Sequence, residues 1–317
     1  MFQFIIWLRA IAAMLITNSH YADIWPISKM AFGGHIGNCI FFFVSGFCLY
    51  DIKEIFPKWY VKRIIRIYPA LWIAATVSLV WGQNSADSIT AYVHCYLYPT
   101  WYHFIASIMV LYCLLYLFLY IHKKWKIDLK CFMGIVLFVF LIIYASKFNH
   151  NLFHIESIDE KWVWFQFMEA MLVGAVFRDN YDKISGSISF FEVINVVGAF
   201  VVYVVLKVVI PGHKVLWILQ ILLPFSLLWL IVFMGIIFIK LEKIEYFKNM
   251  NDNINRIIVF ISSISLEIYL CQYVVIAHNK LGFPISFLVV TGEIILYAWI
   301  VHLISTFVQK RVKKIIE

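Results

Sequence analysis

Residues 1–21 read MFQFIIWLRAIAAMLITNSHY, an apolar run broken by one arginine, Arg9, and closed by one histidine, His20. The two are eleven residues apart. At roughly 100° per residue that separation returns to within about 20° of the starting direction, so both side chains lie on one stripe of a helix. A rise of about 1.5 Å per residue sets them roughly 16 Å apart along the axis, with Arg9 inside an apolar layer and His20 at its far boundary. No basic run precedes the apolar stretch and no small-residue cleavage site follows it, so it reads as a retained membrane span rather than a secretory signal.

Composition extends the same reading to the whole chain. Of 317 residues, 63% are hydrophobic and 14% charged, and the mean hydropathy is +0.87. A water-soluble domain of this size cannot carry that much apolar surface. The net charge of +8 sits in short basic runs between apolar stretches, where orientation in a membrane explains it without nucleic acid. Six cysteines are scattered, with no CxxC pair.

Outward from the first span, ten apolar stretches can be marked, at about 2–17, 36–49, 68–81, 104–121, 131–145, 164–177, 190–210, 215–239, 257–276 and 283–308. Ten spans put alternate connections on opposite sides. With the N-terminus inside, nineteen of the 26 Lys and Arg fall on the inner side and five on the outer, while Arg9 and Lys207 lie within spans. That asymmetry predicts an all-α polytopic bundle of about ten transmembrane helices with both termini cytoplasmic. The sequence shows no internal repeat and no hydrophilic segment long enough for a second domain, so residues 1–317 read as a single membrane domain.

Arginine deep in a span costs several kcal/mol unless it meets a cavity or a carboxylate, which makes Arg9 a functional candidate. An ion pair with Glu169, Glu267 or Glu293 is the structural alternative. His20 stands out through its register with Arg9, since a neutral imidazole at the rim can take a proton from an incoming hydroxyl. His35, His94 and His103, also predicted outer, are its rivals. His150 and His154, four residues apart beside Glu156, lack further ligands for a metal. In FPKWYVKRIIRIYP, Lys62, Arg63 and Arg66 form a basic group before the third span. Arg63 and Arg66 share a face if the segment is helical, and such a patch suits a phosphorylated ligand. Ordinary positive-inside dressing explains it equally well. The glycines of GGHIGNCIFFFVSGF fit neither nucleotide fingerprint, and Ser45-Gly46 reads first as a close helix contact.

Several of these segments together resemble the acyltransferase-3 family of integral membrane O-acyltransferases. The matching pieces are LRAIAAMLITNSHY with its Arg-x10-His, GNCIFFFVSGF, KRIIRIYP, WYHFIASIMVLYCLLYLF and SLEIYLCQYVV, which run in family order over nearly the whole chain. The resemblance implies ten core helices in the cell membrane and transfer of an acyl group, usually acetyl from acetyl-CoA, to a hydroxyl of a surface polysaccharide or glycolipid. It also implies an essential pair in Arg9 and His20 and a donor site at Lys62, Arg63 and Arg66. Ser45, Glu169, Glu267, His35 and His103 are supporting candidates; no metal and no bound cofactor beyond the acyl-CoA substrate is implied. Gln272 departs from the family, standing where many relatives place a histidine. Two rival classes are a transporter or flippase of a lipid-linked glycan and a noncatalytic membrane subunit of a polysaccharide synthesis complex. A transporter needs polar lining along several helices and often internal repeats, and the sparse polar core here favours an enzyme.

Overall fold

The computed structural model describes residues 2–82, 86–157 and 161–316. Among them the regular structure is helical: α1 (Gln3–Ser19), α2 (Gly34–Leu49), α3 (Phe56–Val80), α4 (Ile89–Tyr92), α5 (His103–Trp125), α6 (Leu129–Lys147), α7 (Val163–Asp179), α8 (Phe190–Gly212), α9 (Leu222–Lys243), α10 (Asp252–Ser263), α11 (Ser265–Ala277) and α12 (Ile285–Ile316). Seven helical segments are long and apolar enough to cross a membrane alone, and α10 with α11 makes an eighth if that bent pair is one span. Helices α1 and α7, at 17 residues each, sit at the short end of what a bilayer needs. All ten apolar stretches are therefore helical, and the chain is an all-α polytopic membrane protein.

Two stretches differ from their sequence reading. The third begins twelve residues earlier, at Phe56, because Pro57 in the first turn suits a helix start and nothing in PKWYVKRIIRIY breaks the helix that follows. The basic segment is thus part of α3. The ninth is not one helix. Its two halves meet at Ile264 with a bend of 72°, so α11 starts within the apolar stretch, with Ser265 as its first residue.

The chain folds as two compact units. The first comprises residues 1–8, 38–52 and 113–251. Its centre is the crossing of α2 and α7. A β-carbon added to Gly46 would collide with the Met171 carbonyl, and one added to Gly174 with the Phe43 carbonyl. With hydrocarbon on both sides of the exchange, membrane helices gain little from apolar burial and associate through such close backbone approach. Phe42 stacks on Phe167 at 4.3 Å beside it. In the same unit Glu242 caps α1, its two oxygens accepting from the amides of Gln3 (3.1 Å) and Phe4 (2.8 Å), where a helix dipole favours a carboxylate. The intramembrane Lys207 is paired with Glu156, which also accepts from Tyr203 Oη at 2.9 Å. Most other large side chains of α8 are exposed and face lipid; only Ala199, Tyr203 and Ile210 are buried.

The second unit comprises residues 9–37, 53–112 and 252–317. Its frame is α3, α11 and α12 packed against one another, with the rest of α1 lying along α11. Gly33, with φ of +104°, turns the chain into α2, and Gly37 lets α2 approach the Ala12 carbonyl of α1. These glycines let α1 and α2 pack closely. This unit carries Arg9, His20, Lys62, Arg63 and Arg66.

Candidate functional site

Both residues of the α1 stripe reach α11. Arg9 Nη2 donates to Ser265 Oγ at 3.1 Å, and His20 Nε2 lies 3.3 Å from Tyr273 Oη. Ser265 and Tyr273 are eight residues apart, about 12 Å of helix, so the two contacts mark out one α1–α11 seam at two depths. At its lower end the seam meets the break at Ile264, so that Arg9 reaches the first turn of α11. A guanidinium at the start of a helix sits against the positive end of its dipole, which favours an anion nearby.

The one carboxylate in the first turn of α11 has its own partners. Glu267, 4% exposed, accepts from His302 Nδ1 at 3.0 Å and from Ser305 Oγ at 3.4 Å. Glu293 on α12 is exposed. His302, Ser305 and Gln309 fall at i, i+3 and i+7 on α12 and form one polar stripe; Gln309 Nε2 donates to the Arg66 carbonyl at 3.1 Å. Neither the Glu267–His302 pair nor this stripe stands out in the sequence, although polar spacing of that period on an otherwise apolar helix is a readable signal.

At the upper end, His20 packs against one edge of an aromatic cluster. Its ring meets Tyr273 edge-on at 4.8 Å between centroids, and Tyr273 in turn contacts Tyr269 and Tyr102, each at 5.9 Å. Tyr269 Oη accepts from the Phe104 amide at 3.4 Å. Burial pushes the His20 imidazole below its ordinary pKa, because removing the charged form from water is costly. His20 lies just past the last residue of α1 and is held neutral near pH 7. Nδ1 has no protein partner among the described residues. In the tautomer that donates Nε2–H to the Tyr273 oxygen, Nδ1 keeps its lone pair for a substrate proton.

The basic residues of α3 separate by environment. Arg63 lies 4.4 Å above the Trp59 ring and donates to the Trp59 carbonyl at 3.1 Å. Arg66 is exposed, and Lys62 is engaged by Glu54, whose carboxyl the ammonium holds below the usual carboxylate range. Arg63 and Arg66 share a face of a helix, as their spacing requires, while Lys62 turns to the preceding loop. Two supporting candidates, His35 and His103, occupy the first turns of α2 and α5. Ser45 and Glu169 belong to the first unit. Ser45 sits beside the Gly46 crossing, and Glu169, 7% exposed, faces a cavity of about 30 Å³ that Gln166 also lines. Among the described residues no cluster of three or more metal-ligating side chains occurs.

The family model of the acyltransferase-3 domain, described as an acyltransferase domain, matches residues 2–308. The chain belongs to the acyltransferase-3 family. This match runs through both structural units and through every segment that carries the sequence resemblance. No curated protein and no solved structure matches the chain. The protein is thus a multi-pass membrane acyltransferase of that family, and its α1–α11 seam is where Arg9 and His20 lie.

Proposed function

We propose that this acyltransferase moves an acyl group, acetyl in the family's usual chemistry, from cytosolic acyl-CoA to a hydroxyl of a glycan or glycolipid on the opposite side of the cell membrane. The observation that carries this reading is the pairing of Arg9 and His20 with one helix at two depths. A single extended substrate lying along that seam would touch both.

In this account Arg63 and Arg66 receive the phosphates of the donor, since guanidinium groups match phosphate geometry. The thioester arm extends along the bundle past Arg9, which meets the donor with its positive charge. Neutral His20 then takes the proton of the acceptor hydroxyl as that oxygen attacks the thioester carbonyl. The carbon–sulfur bond breaks, the new ester forms, and the coenzyme thiolate leaves with the proton that the imidazolium returns. Tyr273 holds the ring while the proton comes and goes. A route through acyl-imidazole uses the same groups, with His20 as nucleophile rather than base.

Purified protein in phospholipid vesicles, given radiolabelled acetyl-CoA and membrane glycolipid extract, tests the reading. Label should move to the glycan fraction. Replacing both Arg63 and Arg66 by Ala should raise the donor KM about tenfold or more, while leaving the acceptor KM within about twofold. Unlabelled glycan with the wild-type protein overturns the assignment, and an unchanged donor KM removes the two arginines from it.

A further inference from the structure

Two helices of the second unit are longer than a bilayer requires. α12 has 32 residues and α3 has 25, about 48 and about 38 Å of helix against a hydrocarbon layer of ~30 Å. They run antiparallel. Trp81, just past the end of α3, meets the Tyr297 ring of α12 at 6.4 Å, whereas Gln309 Nε2, near the other end of α12, donates to the Arg66 carbonyl at 3.1 Å. The basic ends of the two helices therefore lie side by side, Arg66 on one and Lys310, Lys313 and Lys314 on the other.

Lys313 is one turn past Gln309 and on the same face of α12, the face that Gln309 applies to α3. One turn before Arg66 on the antiparallel partner come Lys62 and Arg63. Lys313 thus stands level with that turn, about 6 Å beyond the Gln309 contact. The joint is also held from the α11 side, because His302 and Ser305 on the same polar stripe donate to Glu267. Arg66 and Lys313 are both exposed, and among the described residues neither is paired with a carboxylate. Other basic side chains are neutralised, Lys62 by Glu54, Arg178 by Asp51 and Lys240 by Glu192. Orientation in the membrane accounts for basic residues at a helix end. It does not account for two helices from distant parts of the chain bringing theirs to one joint and leaving out the acid.

Like charges held side by side without a counter-ion repel, and an anion between them relieves the repulsion. Guanidinium and ammonium groups together are suited to phosphate oxygens. We propose that Lys313 and Arg66 form one phosphate site split between α12 and α3, which takes a phosphate group of the acyl donor's nucleotide. This rests on the acyl-transfer reading above and deepens it, since the donor is then held by two helices rather than by the α3 segment alone. An anionic lipid headgroup offers the same chemistry, and the test separates the two sources.

Binding of radiolabelled coenzyme A is measured with the full-length protein in phosphatidylcholine vesicles, with and without phosphatidylglycerol. Lys313→Ala should raise the Kd about tenfold in the neutral vesicles. Added to Arg66→Ala it should cost less than that, because the two side chains share one phosphate. Lys314→Ala removes an equal charge from a face of α12 turned about 140° from Gln309, and should leave the Kd within about twofold. All three side chains are exposed, so their replacement leaves the packing intact. An unchanged Kd in Lys313→Ala, or an equal loss in Lys314→Ala, overturns the proposal. So does displacement of coenzyme A by phosphatidylglycerol from the wild-type protein but not from Lys313→Ala, which gives the site to a lipid. Acetyl transfer from labelled acetyl-CoA is measured on the same vesicles. Coenzyme A binding that depends on Lys313 without transfer to glycan sinks the acyl-transfer reading alone, and transfer whose donor KM ignores Lys313→Ala sinks this inference alone.

Discussion

At the scale of single residues, the account turns on His20 and what holds it. A hydrogen bond of this kind contributes about 0.5–1.5 kcal/mol, and 1.4 kcal/mol is a factor of ten in rate. Tyr273→Phe should therefore slow acyl transfer up to about tenfold without disturbing membrane insertion, read as initial rate per inserted protein; an unchanged rate would separate Tyr273 from the chemistry. The lowered His20 pKa fixes the sign of the pH dependence. Protonation removes the base, and burial makes protonation harder. The acidic limb of the pH–rate profile should thus lie below the ~6.5 of an unperturbed histidine, and a limb above that value would contradict a neutral, buried imidazole. Arg9 and His20 were legible in the sequence because an arginine in an apolar run and an eleven-residue register need no tertiary knowledge. Tyr273, Ser265 and the Glu267–His302 pair were not, since each depends on which helix packs against which. Lys62 was grouped with Arg63 and Arg66 by proximity in sequence, whereas its partner Glu54 precedes the helix and is invisible to a helical-face argument.

At the scale of elements, close backbone approach does the work that apolar burial does in water-soluble folds. Gly46 and Gly174 each face a carbonyl of the opposing helix, so an added methyl forces α2 and α7 apart. Gly174→Ala should destabilise the first unit by about 1–3 kcal/mol or more, lowering the thermal midpoint of detergent-solubilised protein; a midpoint unchanged within error would mean that the crossing is loose. Gly46 was legible as a small residue suited to a helix contact, but its partner was not. The 72° break at Ile264 left only a weak trace, the serines at 262, 263 and 265, in a stretch without Gly or Pro. The start of α3 was masked by charge, because hydropathy sees an apolar run only from Tyr68 while the helix begins at Phe56.

At the scale of the whole molecule, hydropathy made the helical, polytopic character readable, and the Lys and Arg distribution adds a prediction about sidedness. Reporter fusions at residue 317 and in the connection after α1 should report opposite faces of the membrane, with the C-terminal one cytoplasmic; the same face for both would break the ten-span reading. Division of labour across the membrane is the central claim, and sealed vesicles test it most directly. Protein is reconstituted in a single orientation, labelled acetyl-CoA is supplied on the Arg63 face and the acceptor on the His20 face only. The account predicts labelled acceptor across the membrane with wild-type protein and none with His20→Ala. Transfer that requires donor and acceptor on the same face, or that persists undiminished in His20→Ala, would contradict it.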